Sequence, residues 1–115
     1  MASLVILVRS APYGSLDAAE GVRHLASRRA LGFDETVGAF CDDGVFALVT
    51  GQAAAAGFTS LEGPLKTLAG EGVALLAESS SLAQRGLREG DLIAGVRSGD
   101  SVEDLLVEAD AVLVF

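Results

Sequence analysis

One thiol, Cys41, stands directly before two carboxylates, Asp42 and Asp43, and a glycine, Gly44. A cysteine in such a place can be a nucleophile or a persulfide carrier, chemistry that needs an accessible thiol with a lowered pKa. Neighbouring carboxylates work against this by disfavouring the thiolate. Free cysteine is also commonly buried as a small apolar residue, the reading that the residues favour. Asp42 and Asp43 have the types to share a proton or hold a cation; more often such residues shape a turn and cap the next helix. Glu78 can join them in one pocket or stand solvated in its own loop. His24 is the sole histidine, with no second histidine or cysteine at ligand spacing, so no metal site is expected. Serines 10, 15, 79, 80 and 81 have only His24 as a histidine base, which leaves no hydrolase triad. Gly14, Gly21 and Gly32 form neither a P-loop nor a dinucleotide fingerprint, and no cofactor is expected. The residues offer no catalytic constellation.

The elements that must position these groups are legible as alternating apolar runs and helix-like stretches. Leu4 to Val8 is continuously apolar, as in a strand covered on both faces, and Pro12 and Gly14 make Ser10 to Gly14 a loop. A helix is predicted from a Ser15 cap, with Asp17 and Glu20 at its positive end and Arg28 and Arg29 at the other, stopped by Gly32. Thr36 to Cys41 reads as a second strand weakened by Gly38, followed by a short helix capped by Asp43 and running to Val49. Thr59 and Glu62 have capping-box spacing for a helix to about Leu68, as do Ser101 and Asp104 for one through Glu108. Val73 to Ala77, Leu92 to Val96 and Ala111 to Phe115 read as the remaining strands. Glu78 to Ser81 is the loop and cap of a helix ending near Gly86.

This alternation implies βαβ units and a three-layer α/β/α sandwich around a mostly parallel five-stranded sheet, as a single domain over residues 1–115. Ligand crevices in such sheets lie outside the carboxyl ends of the strands. The candidate crevice is therefore Ser10, Tyr13, Asp42, Asp43, Glu78 and Ser79.

Composition narrows the function classes. The 115 residues are half apolar and carry eight basic against sixteen acidic side chains, a net charge of −8. So negative a surface opposes direct binding of nucleic acid or anionic membrane. The apolar surplus in so small a body suggests a partner interface. No run approaches membrane-spanning length, and the short first apolar run, closed by Arg9, is no signal peptide. One cysteine excludes an internal disulfide framework and makes the cytoplasm the expected compartment.

The chain resembles the DsrE/DsrF-like sulfur-relay superfamily, most closely its TusC/DsrF branch, over nearly its whole length. The resemblance rests on Arg9-Ser-Ala-Pro-Tyr-Gly14, Ala18-Ala-Glu-Gly21, Phe40-Cys-Asp-Asp-Gly-Val-Phe46, Gly51-Gln52, Ser81-Leu82, Arg85-Gly86-Leu87 and Ala109-Asp-Ala-Val-Leu-Val-Phe115. It implies a cytoplasmic subunit of an oligomer that relays persulfide sulfur, toward tRNA thiolation or within sulfur oxidation. It also implies that the sulfur-carrying cysteine belongs to a partner subunit, after the third strand. Counting back from the Arg-Gly of the following helix puts Glu78 at that position, and a glutamate cannot carry a persulfide. Cys41 corresponds to an ordinarily apolar strand residue.

The expected role is then a non-catalytic subunit that presents interfaces to other members of the family. The loop Gly51 to Gly57, with Phe46, Gln52 and Phe58, is the candidate contact surface; the alternative for the two phenylalanines is core. A stand-alone homo-oligomer that binds a small ligand at the strand ends is the second reading. A thiol sulfurtransferase working through Cys41 is the third.

Overall fold

The computed structural model describes residues 2–53 and 60–115. Five strands, β1 (Ser3–Val8), β2 (Glu35–Phe40), β3 (Ala74–Glu78), β4 (Arg97–Gly99) and β5 (Ala111–Val114), form one sheet in the order β4-β3-β2-β1-β5, and every pair is parallel. The helices are α1 (Asp17–Ala26), α2 (Glu62–Gly70), α3 (Ser79–Gln84) and α4 (Val102–Glu108). Short 3₁₀ helices lie at Arg28–Leu31, Asp42–Leu48 and Glu89–Asp91. No helix among the described residues is long and apolar enough to cross a membrane.

Topology decides which face each helix covers. From β1 to β4 the chain steps across the sheet in one direction, so right-handed crossovers put α1, α2 and α3 on the same face. The return from β4 to β5 runs the other way and sends α4 to the opposite face. Packing agrees with this. Leu4, Ile6, Val8, Phe40, Leu75 and Ala77 face Ala18, Val22, Leu25, Leu65, Leu68 and Leu82 in the larger core. The alternate side chains Val5, Leu7, Ala39 and Cys41 face Val102, with Leu105, Leu106 and Leu76 packed around them. Continuous apolar runs in β1 and β2 thus do serve two cores, because successive strand residues point to opposite faces.

Phe40 marks the centre. It is fully buried and paired in register with Val8 on one side and Ala77 on the other. At Gly38 an added Cβ would meet Leu25 and Leu75 side chains at 2.9 and 3.0 Å. The glycine that weakens the strand by propensity is therefore what lets α1 approach β2.

Several local expectations change. Leu92 to Val96 is not a strand: Gly95 turns with φ 94° and pairing to β3 begins only at Arg97. Its apolarity reflects a loop tucked into the larger core, where the Ile93 N–H donates to the Leu48 carbonyl at 2.8 Å. None of the four α-helices has a side-chain cap bond at its N-cap. Ser101 precedes α4 without capping it, Thr59 lies outside the described residues, and Asp43 pairs with an arginine instead. Serines 79–81 belong to the first turn of α3 rather than to a loop.

Candidate functional site at the carboxyl edge of the sheet

The register that pairs Phe40 with Val8 and Ala77 sets the next residue of β2, Cys41, between Arg9 and Glu78. Cys41 is 8% exposed and its N–H donates to the Val8 carbonyl at 3.1 Å. Burial pushes its thiol up to about 11, helped by the negative charges of Asp42 and Glu78; Arg9 and Arg85 offset this only in part. At neutral pH the sulfur is a protonated thiol, a poor nucleophile.

Beyond Cys41 the chain turns sharply. Asp42 adopts φ 51°, the left-handed region that short polar side chains tolerate best. The Gly44 N–H then donates to the Cys41 carbonyl at 2.9 Å. Gly44 sits so close to β1 that a Cβ would stand 2.1 Å from the Val8 carbonyl oxygen. Only glycine fits there, which accounts for the Asp-Asp-Gly order in the sequence. The turn aims both aspartates outward and each meets an arginine. Arg9 Nε lies 3.3 Å from Asp42 Oδ2, and Arg85 Nε lies 3.0 Å from Asp43 Oδ1.

Ser81 ties the two strand ends together. Its hydroxyl donates to Glu78 Oε1 at 2.5 Å and accepts from the Asp42 N–H at 2.9 Å. It is 1% exposed, the one buried polar residue among those described. Its carbonyl accepts from Arg85 Nη1 at 3.1 Å. Glu78, Ser81, Asp42, Asp43, Arg85 and Arg9 therefore form one connected network across the carboxyl ends of β1, β2 and β3. Sequence reasoning set Arg9, Asp42, Asp43 and Glu78 at the strand ends but left out Ser81 and Arg85. The spacing Glu78-x-x-Ser81 at the start of a helix was the available signal, since residues three apart meet on one helical face.

The chain steps from β1 to β4 on one side and returns to β5 on the other side of β1, so the topological switch point lies between β1 and β5, beside Arg9. That is where open α/β sheets bind ligands. What the network offers there is fixed charge of both signs, with no activated nucleophile. Ser10 and Ser79 are half-buried at these ends and make no side-chain hydrogen bond among the described residues. A groove of about 540 Å³ opens at the opposite, amino ends of β2 and β3. Arg28 and Arg29 line it, and Arg28 is paired with Glu71 at 3.4 Å; the topology favours the carboxyl edge.

Tyr13 belongs to a second network. Its hydroxyl donates to Gln52 Oε1 at 2.6 Å and accepts from the Leu61 N–H at 3.2 Å. Gln52 Nε2 donates to the carbonyls of Ala47 and Val49 at 2.7 and 2.9 Å, and the Gln52 N–H reaches Glu62 Oε1 at 2.9 Å. Lys66, with the backbone N–H groups of Gln52 and Gly51, holds the Glu62 carboxyl down to about 2. The Gln52 side chain is thus engaged within the chain itself. Phe46 is 37% exposed beside it; Phe58 and most of the Gly51 to Gly57 loop lie outside the described residues. His24 is half-buried, with Nδ1 2.7 Å from the Glu20 carbonyl oxygen and its ring against Phe115.

Comparison with known proteins follows this geometry. The DsrE/DsrF-like family matches residues 2–115. A protein named as a TusC homolog, from Vibrio parahaemolyticus serotype O3:K6, is 37% identical with full coverage of both chains. The crystal structure of the YchN protein from E. coli superposes with a TM-score of 0.86 at 29% identity, again over the whole of both chains. A protein of unknown function from Methanobacterium thermoautotrophicum shares the fold, with a TM-score of 0.71 at 18% identity and full coverage of both.

Proposed function

Because this chain belongs to the DsrE/DsrF-like family, we propose that it is a non-catalytic subunit of a cytoplasmic sulfur-relay complex, assembled with other chains of its family. The observation that carries this reading is the disposition of Cys41 and Glu78. The single thiol of the chain is buried and held protonated at neutral pH, and the end of β3 holds a carboxylate, Glu78, where a relay would need sulfur. The full-length similarity to a protein named as a TusC homolog supports the same role.

In this role the chain does not carry sulfur. It contributes a shaped edge of alternating Arg9–Asp42 and Arg85–Asp43 pairs to a pocket whose cysteine comes from a partner, and charge placed there acts on that partner's thiol. Which acceptor receives the sulfur is set by the partners.

Co-expression with the products of its neighbouring genes tests the proposal. The expected result is a stable complex in which the outer sulfur of a persulfide-carrying donor protein passes to a partner cysteine, the donor leaving as its thiol, and Cys41 stays unlabelled. A monomer that joins none of them, or a Cys41 that takes up the label in the folded chain, overturns it. A homo-oligomer formed without partners supports instead the stand-alone, ligand-binding reading.

A further inference from the structure

The two faces of the sheet are covered unequally. Three helices pack on one face, whereas α4 alone crosses the other. Five strands at about 4.8 Å spacing span roughly 19 Å, and a helix with its side chains is only about 10 Å wide. One helix of seven residues therefore leaves both flanks of this face open. The register places the side chains that it must cover in two rows. One row runs Val112, Val5, Val37, Ala74, and the next runs Val114, Leu7, Ala39, Leu76. Val5, Leu7 and Ala39 in the middle are buried against Val102, Val37 is half-buried, and the flanks are open: Val114 is 58% exposed, and Ala74 is exposed at the far flank. On the Ala74 side the gap is a groove of about 510 Å³, lined by Val37, Ala74, Leu76, Leu105 and Arg97 among others. Val107 crowns the helix at 84% exposure.

An open apolar face of this size marks an interaction site, and the charges around it select the occupant. Around this face stand five acidic residues between Asp100 and Phe115, against one basic residue, Arg97, at the groove on the β4 flank. None of the five is in an ion pair among the described residues, all of whose salt bridges lie elsewhere. A second copy docked face to face would set five carboxylates and one Arg97 against the same set, in a chain already at −8; like charges brought together in this way disfavour the interface.

We infer that the α4 face of the sheet docks a different protein, whose apolar patch covers Val107, Val114 and the groove beside Leu105 and whose rim carries lysines or arginines opposite Asp100, Glu103, Asp104 and Glu108. This rests on the subunit reading above and assigns it a surface and a charge. Val107 and Val114 are the apolar anchors. The acidic rim contributes orientation and association rate more than affinity, and it disfavours self-association of this chain.

The test uses the full chain co-expressed with its family neighbours, with Val107→Asp and Val114→Asp on this face and Leu16→Asp as control. Leu16 is 65% exposed and precedes α1, on the other face. All three positions are solvent-facing, so the variants fold. Each substitution on the α4 face weakens the wild-type complex by about 10-fold or more, as loss of an interface anchor does, and Leu16→Asp leaves it unchanged. Raising salt from about 0.05 to about 0.5 M weakens the complex, because the rim charges are screened. A complex that forms but ignores both α4-face variants overturns this inference and leaves the subunit role standing. A homo-oligomer of this chain that Val107→Asp dissociates overturns the charge selection. Failure to form any complex overturns both readings together.

Discussion

Cys41 and Glu78 stand side by side at the ends of neighbouring parallel strands, one position past the paired Phe40 and Ala77. The thiol and the carboxylate share a face and a field, and the carboxylate helps keep the thiol protonated. A relay chemistry that needs a thiolate is therefore suppressed at β2 and has no sulfur at β3. Both conditions follow from two residues in one register.

The first prediction concerns the reactivity of Cys41. With its pKa near 11, alkylation by iodoacetamide at pH 8 in the folded protein runs more than about 100-fold slower than for an ordinary thiol. The rate rises steadily through pH 9 to 11. Asp42→Asn, which keeps a residue tolerant of the left-handed turn, accelerates it more than Glu78→Gln does, because Asp42 is the stronger of the two charges on the thiol. Stability responds with a definite sign. Below pH 9 the thiol is protonated whether the chain is folded or not. Between about 9 and 11 only the unfolded chain releases the proton, so stability falls as pH rises. Denaturant titrations of wild type and Cys41→Ala across this window isolate the effect; a difference between the two that is independent of pH would refute the assignment.

Ser81 provides the second. Ser81→Ala removes the acceptor of the Asp42 N–H and the donor to Glu78 at a fully buried position. Leaving a buried polar group unmatched costs about 1–3 kcal/mol. Urea unfolding measures the loss. Because Ser81 and Glu78 belong to one network, the cost of Glu78→Gln in the Ser81→Ala background differs from its cost in wild type. Strict additivity would show that the network is not the unit described.

Much of this was legible in the sequence, and the failures have physical reasons. The runs Leu4 to Val8 and Ala111 to Phe115 announced strands because long apolar stretches this short have few other uses. Asp42-Asp43-Gly44 announced a turn at a strand end, and Cys41 was readable as buried. Leu92 to Val96 misled because a loop driven into the core by its backbone bond to Leu48 is as apolar as a strand. The Ser101–Asp104 capping box misled because spacing alone does not supply the geometry. Ser81 and Arg85 were missed as site residues because their partners, Asp42 and Asp43, are some forty positions away in sequence. Tyr13 and Gln52 were each noticed separately; only the fold joins them.

The Tyr13–Gln52–Glu62 network gives the third prediction. Glu62 is held at about 2 by Lys66 and the backbone N–H groups of Gln52 and Gly51, against an ordinary 4.5. The stabilisation it lends is complete above about pH 4.5 and is lost as pH falls toward 2, since only then does the folded state take up the proton that the unfolded chain already binds. Glu62→Gln thus lowers the thermal midpoint at pH 7, and the gap to wild type narrows steadily from pH 4.5 to 2. A gap that stayed constant over that range would remove Glu62 from the anchoring role. Tyr13→Phe removes the hydrogen bonds to Gln52 and Leu61 and is destabilising across the same pH range.

The last prediction contrasts two glycines. At Gly44 a methyl group would stand 2.1 Å from the Val8 carbonyl oxygen and 2.7 Å from its carbon. Both are backbone atoms of β1, a strand paired on both sides, so no side-chain rotation can relieve the clash. Gly44→Ala must push the 3₁₀ helix Asp42–Leu48 away from β1, lifting Val45 and Leu48 from the core, a distortion worth about 1–3 kcal/mol. It also shifts Asp42 and Asp43, so the rate of Cys41 alkylation rises with the loss of stability. Gly70, in the last turn of α2, has nothing within 4 Å of an added Cβ and no left-handed backbone. Gly70→Ala is therefore stabilising by about 0.4–1 kcal/mol through the entropy of the unfolded chain. Urea midpoints that moved in the same direction for both variants would contradict the packing at Gly44, because chain entropy alone acts on both glycines alike.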